Sequence, residues 1–153
     1  MKVSSLLFGI LSSGIALLLS GCLEPTPQPL PQYTPKALET QGKGIIIAKS
    51  TPYNCVILGE VEGKDSVGNT RGATRELLRE SALNDLKNEA GNVVADGKRI
   101  MLAITKEKVT CYATLIGQAN NTIDCTDGVP REALSASLES HRIHAQVFEC
   151  GAR

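Results

Sequence analysis

Thr74-Arg75-Glu76-Leu77-Leu78-Arg79-Glu80-Ser81-Ala82-Leu83-Asn84-Asp85-Leu86-Lys87-Asn88-Glu89-Ala90 is the stretch from which the fold can be read. Leu78, Ala82, Leu86 and Ala90 recur every four residues, Leu77 and Leu83 widen the stripe, and Arg75, Arg79, Glu80 and Lys87 fall outside it. Side chains three and four apart share one face of a helix, so the spacing predicts one amphipathic helix over 74–90. Gly91-Asn92 offers a left-handed C-cap at its end.

On either side the period changes from helical to extended. Before the helix, Lys43–Lys49 carries three consecutive isoleucines and stops at the turn residues Thr51-Pro52, and Cys55–Val61 reads as a second strand ended by Gly63. Lys64–Gly72 reads as a flexible surface loop. After the helix, Arg99–Ile104 and Val109–Gly117 read as two strands, and Gln118–Asn121 as a turn. Thr122–Cys125 completes a hairpin. Pro130 is suited to open a short helix through Leu138, because Leu134 and Leu138 stand four apart. His144–Cys150 forms the last strand. This order predicts an α+β domain: a small, mostly antiparallel sheet with one main helix packed on it.

The N-terminus has a different character. Met1-Lys2 is a minimal positive start, and Leu6–Leu19 is an apolar run broken by Ser12, Ser13 and Gly14. A spanning helix needs roughly 20 apolar residues, so this run reads as a cleavable export signal, outside the fold. It ends in Leu19-Ser20-Gly21-Cys22, an aliphatic residue and two small ones before a cysteine. That is the form of a bacterial lipobox, with Cys22 the lipidated first residue of the mature chain. Each buried methylene of an acyl chain contributes ~0.8 kcal/mol, and anchors of more than one chain hold stably. Leu23 stands where an aspartate favours inner-membrane retention, so the expected location is the outer membrane, with the domain in the periplasm or at the cell surface.

Pro25, Pro27, Pro29, Pro31 and Pro35 then punctuate Leu23–Gln41. Proline removes backbone donors and fixes φ, and a polyproline-II spacer of this length reaches roughly 50–60 Å. The expected organisation is a lipoprotein signal peptide at 1–21, the lipidated cysteine and a disordered proline-rich tether at 22–41, and a domain at 42–153.

Four cysteines remain in that domain: Cys55, Cys111, Cys125 and Cys150. An even number in a small exported domain implies two disulfides, and three pairings are open. Cys111–Cys125 closes the local hairpin, and Cys55–Cys150 then ties the early strands to the last one. In the chain-entropy model loops of these sizes are worth ~3 and ~4.7 kcal/mol, as upper values. No Cys-x-x-Cys motif is present to suggest thiol exchange.

Composition narrows the function. Lysine plus arginine and aspartate plus glutamate number 16 each, with no long block of either sign. Strong capture of nucleic acid or anionic lipid is therefore not expected. With two phenylalanines, three tyrosines and no tryptophan there is little for stacking sugars or bases. Gly59–Asp65 lies where a phosphate loop would, but its spacing is one residue short and Asp65 stands where a hydroxyl should hold magnesium. His141 and His144 with Cys150 could be written as metal ligands, yet residues three apart on a strand face opposite ways. Ser135 and Ser137 lie in no nucleophile elbow, and Asn120-Asn121-Thr122 reads as a turn. No catalytic, cofactor or metal residue is assigned.

Cys55-Val56-Ile57-Leu58-Gly59-Glu60-Val61, Ala82–Ala90 within the helix and a cysteine on the last strand together resemble a lipoprotein family known as domain of unknown function 4156. Leu58-Gly59-Glu60-Val61 also resembles a strand of the RcsF envelope-stress lipoproteins, which share the plan of lipid anchor, proline-rich linker and disulfide-bonded α+β domain. The match covers roughly 55–102 and Cys150. Ala95-Asp96-Gly97-Lys98 after the helix departs from the family pattern, and Cys111–Ser140 looks like an insertion.

Two functional classes follow. One is a non-enzymatic outer-membrane lipoprotein, held in the membrane through Cys22, that docks on an unidentified envelope protein or senses stress. The other is a small periplasmic enzyme or cell-wall ligand-binding module. It would need a polar cleft, best sought near Asp65, Arg71 and Glu76.

Overall fold

In the computed structural model, residues 27–94 and 97–152 are described; the expected signal peptide at 1–21, Cys22 and the start of the expected tether lie outside them. Five strands and one helix follow in the order β1 (Ile46–Ile47), β2 (Val56–Ser66), α1 (Arg75–Val93), β3 (Lys98–Leu115), β4 (Asn121–Asp124) and β5 (Ala133–Ala152). The sheet runs β1-β3-β5-β2, and β4 pairs with β3 beyond β1. β1 is parallel to β3, while the β2–β5, β3–β5 and β3–β4 pairings are antiparallel. The α+β expectation holds, as one helix on a mixed sheet.

Helix α1 covers one face. Thr74 caps its N-terminus by accepting from the Leu77 N–H at 3.2 Å. Leu78, Ala82, Leu86 and Ala90 are fully buried, and the last three join Ile45, Ile100, Leu102, Ile143, Ala145 and Val147 in the main core. Gly63 sits where a Cβ would strike the Ala82 carbonyl and the backbone of Leu86. The helix and β2 are therefore in backbone contact at that point. A smaller core of Val109, Cys111 and Cys125, flanked by Ile123 and Leu138, fills the far half of the β3–β5 ribbon. The Cys111–Ser140 stretch is thus an extension of the sheet with its own core.

Both favoured disulfides are present. Cys55–Cys150 joins the start of β2 to the end of β5 across 95 residues. Cys111–Cys125 closes the β3–β4 hairpin across 14.

Several boundaries differ from expectation. Pro130–Leu138 is no helix: Pro130 stands in the turn before β5, and Ala133–Leu138 pairs with Cys111–Leu115. A spacing of four is even, so Leu134 and Leu138 fit strand alternation as well as a helical face. The pairing available from β3 decides between them. The two strands expected at 99–104 and 109–117 are one strand, with a register shift between Ile104 and Lys106. Lys64–Ser66, expected in a loop, completes β2. Gly91-Asn92 does not cap the helix, which runs on to Val93 and ends in extended backbone at Val94. Gly91 instead admits the Gln41 backbone, which a Cβ would strike.

The proline-rich segment also does more than space. Arg71 N–H donates to Pro31 O at 3.0 Å and Tyr33 N–H to Arg71 O at 2.9 Å, a parallel bridge between Gln32 and Arg71. Tyr33 is buried at 6 % exposure, so packing begins about ten residues before the composition shift at Gly42.

Candidate functional site

Pairing of β2 with β5 sets Asp65 opposite His141, and β3 places Val109 on the other side of His141. Above this row, α1 presents Arg79, Ser81, Asn84, Asp85 and Asn88. Two polar groups result, lying between the main core and the small disulfide core.

The first group centres on Asp65. Its Oδ2 accepts from the Tyr33 hydroxyl at 2.6 Å and from the Ser81 hydroxyl, and its Oδ1 from the Ser66 N–H at 2.8 Å. Burial works against the charge, but the donors of Ser81, Tyr33 and Ser66 prevail and hold the carboxyl below its usual range. The same arrangement pushes the Tyr33 phenol up to about 12, through burial and then the bond to Asp65. Ser81 in turn accepts from the Lys36 N–H at 2.8 Å.

The second group is Arg79, Glu107 and His141. Arg79 donates to Glu107 through Nε at 2.9 Å and Nη2 at 2.6 Å, a two-pronged pair. His141 Nε2 meets the same carboxylate at 3.1 Å. The Arg79 bonds keep Glu107 below its ordinary value despite partial burial. His141 is 2 % exposed, and its burial pushes the imidazole below its ordinary value against the pull of Glu107. Its Nδ1 is buried without a hydrogen-bond partner among the described residues.

One stripe of the helix reads the strap formed by residues 31–41. Asn84 Nδ2 donates to Lys36 O at 2.9 Å, and Asp85 takes Lys36 Nζ and the Lys64 N–H at 2.8 Å each. Asn88 accepts from the Glu39 N–H at 2.9 Å and donates to Ala37 O at 3.0 Å. Ser81, Asn84, Asp85 and Asn88 fall at helical spacing, so a polar stripe that looks solvated in sequence is a receptor for backbone. Its signal is the run of short polar side chains, with Ser81, Asn84 and Asn88 able both to donate and to accept and Asp85 to accept, where a solvated stripe more often carries long charged ones.

The residues named for a cleft do not converge. Asp65 is taken up by Tyr33 and Ser81, Arg71 uses its backbone to hold the strap, and Glu76 lines a separate depression with Arg79 and Lys87. His141 lies buried under α1, whereas His144 is on the other side of the sheet, 3.4 Å from Glu62. Cys150 is consumed by its disulfide. Ser135 and Ser137 bond Thr114 and the Tyr112 carbonyl within the ribbon. Gly59–Asp65 is extended β2, with no loop to cradle a phosphate.

Beside Asp65 and His141 lies an open depression of about 330 Å³, walled by Lys36, Lys64, Ser66, Ser140 and Arg142. Three cations, the Ser66 and Ser140 hydroxyls, the Asp65 carboxylate and the His141 imidazole share this lining.

Comparison with protein-family models, with curated proteins and with solved structures finds no match to this chain.

Proposed function

We propose that this chain is a non-enzymatic lipoprotein of the bacterial envelope, acylated at Cys22, held in the outer membrane, and acting by docking on another envelope component. The single observation that carries this reading is that all four domain cysteines are joined in two disulfides. Such staples belong to an oxidising compartment, which is where an export signal ending in Leu19-Ser20-Gly21-Cys22 would deliver the chain. The docked strap adds to it. A tether clamped at Tyr33 leaves about nine residues between Cys22 and Pro31, or roughly 28 Å of polyproline reach. The domain is then held within that reach of its anchor.

The resemblance to the domain of unknown function 4156 lipoproteins and to RcsF-like stress lipoproteins belongs to this proposal. Docking is best assigned to the Cys111–Ser140 extension, where Ile116, Val129 and Leu134 are exposed apolar side chains. The test is a photo-crosslinking residue placed at Ile116 or Leu134 of the full chain in its own cells, with Lys87 on the helix as control. A discrete envelope-protein adduct from the extension, absent at Lys87, is the expected result. Adducts at Lys87 alone, or none at Ile116 and Leu134, would remove the extension as the docking surface.

A further inference from the structure

On the face of the sheet away from α1, cross-strand register gathers charges that are scattered along the chain. Lys64 pairs with Arg142, and Arg142 with Lys108, so three cations stand in one row across β2, β5 and β3. The next row is Ser66, Ser140 and Thr110, all hydroxyls, and the row on the other side is Glu62, His144 and Lys106. Like charges directly opposite one another destabilise a sheet, and here two such pairs share Arg142.

The compensation within the protein is partial. Glu62 is shared by Arg142 at 3.1 Å, Lys64 at 3.8 Å and His144 at 3.4 Å. Lys106 and Lys108 form no salt bridge among the described residues. The other carboxylate flanking the patch is Asp124 on β4, which pairs with Thr110 of β3, accepts from the Thr126 N–H at 2.9 Å and feels both lysines. Four permanent cations thus face two carboxylates at the flanks. The depression that Lys64, Ser66, Ser140 and Arg142 line also takes in the Asp65 carboxylate and His141 from the α1 side, and Lys36 reaches its edge with its ammonium on Asp85 and the Lys64 carbonyl. The Ser140 and Thr110 hydroxyls, 2.6 Å apart, lie beside the cationic row.

We propose that this face binds phosphate groups, with the Lys64–Arg142–Lys108 row supplying the charge and the Ser66–Ser140–Thr110 row supplying hydroxyl donors. Arginine offers a fork matched to phosphate oxygens, and lysine a mobile point charge. The phosphate can be soluble or carried on a lipid headgroup. The site is independent of the lipidation and docking proposed above and stands or falls separately.

The test uses the full chain in nonionic detergent, with backbone amide resonances followed by NMR. Inorganic pyrophosphate is titrated at about 0.05 M and about 0.5 M salt, since exposed charge pairs are screened over a few ångströms at the higher value. Short-chain phosphatidylglycerol and phosphatidylcholine are titrated in parallel. Saturable shifts centred on Ser66, Ser140 and Arg142, weakened at least fivefold at high salt, are expected. A double Lys108→Gln, Arg142→Gln variant should bind at least fivefold more weakly, with its thermal midpoint checked against the native chain, while Lys87→Gln on the helix should bind unchanged. Phosphatidylglycerol moving the same amides, with phosphatidylcholine inert, would make a lipid headgroup a ligand; pyrophosphate alone would make it a soluble phosphate. Absence of shifts with both phosphate ligands at millimolar concentration would overturn the proposal. So would a folded double variant of native affinity, or tighter binding per phosphate to a DNA duplex.

Discussion

Replacing Tyr33 by alanine should detach the strap from the domain and, in doing so, show how much stability the proline-rich segment contributes. Tyr33 is the buried side chain of that segment nearest the Asp65 hub, at 6 % exposure. Truncating a buried aromatic residue costs about 3–5 kcal/mol through lost transfer energy and the cavity left behind. Its hydroxyl bond to Asp65 adds a charge-assisted term of about 1.5–3 kcal/mol when removed alone. The two terms overlap, and the strap can collapse toward solvent, so the low end applies: about 3 kcal/mol for Tyr33→Ala and about 1.5 kcal/mol for Tyr33→Phe. At about 4 °C per kcal/mol for a domain of this size, Tyr33→Ala should lower Tm by about 12 °C. The assay is thermal and urea unfolding with disulfides intact, paired with limited proteolysis. Tyr33→Ala should open Thr34–Lys43 to cleavage while the Cys55–Cys150 body resists. A loss under 1 kcal/mol with no new cleavage would refute the claim that the strap is part of the fold.

Other outcomes follow from the same contacts. Gly63→Ala should give little folded protein in a soluble-yield and circular-dichroism comparison, because the added methyl strikes the α1 backbone at Ala82 and Leu86. Replacing Cys55 and Cys150 together by alanine should cost more than replacing Cys111 and Cys125, about 4–5 against about 3 kcal/mol, read from denaturant midpoints. Stability should also fall as the medium is acidified below pH 6.5. His141 is held neutral by burial in the folded state, so its folded pKa lies below its unfolded one. The unfolded chain then takes up the proton first, and stability is lost as pH drops through the unfolded value toward the folded one. Asp65 and Glu107 have the same sign but act only below about pH 4.5, where their unfolded forms protonate. His141→Gln should flatten the upper limb and leave the lower one; an unchanged upper limb would show that His141 does not set it.

The helix was legible because Leu77 and Leu83 stand at odd offsets beside the four-residue repeat of Leu78, Ala82, Leu86 and Ala90, an apolar set that a helix gathers on one stripe and a strand would split between two faces. Cys111 and Cys125 were legible because they flank a short turn. What stayed hidden depends on partners distant in sequence. Ala133–Leu138 became strand only because β3 was there to pair with it. Tyr33 looked like one more tether residue until Asp65 and Ser81 came together beneath it. The basic face was invisible for the same reason. Lys64, Lys108 and Arg142 lie far apart in a chain of balanced charge, and antiparallel register alone sets them side by side. Conversely, Asp65, Arg71 and Glu76 are near in sequence, yet strand, bridge and helix carry them to different duties.

The most direct test of the anchored, stapled reading is intact mass of the protein purified from its own membrane fraction, before and after reduction. The account predicts a chain beginning at Cys22 with two or three acyl groups and a gain of four hydrogens on reduction, one pair for each disulfide. A chain still beginning at Met1, or free thiols at Cys111 and Cys125 in the unreduced protein, would contradict it.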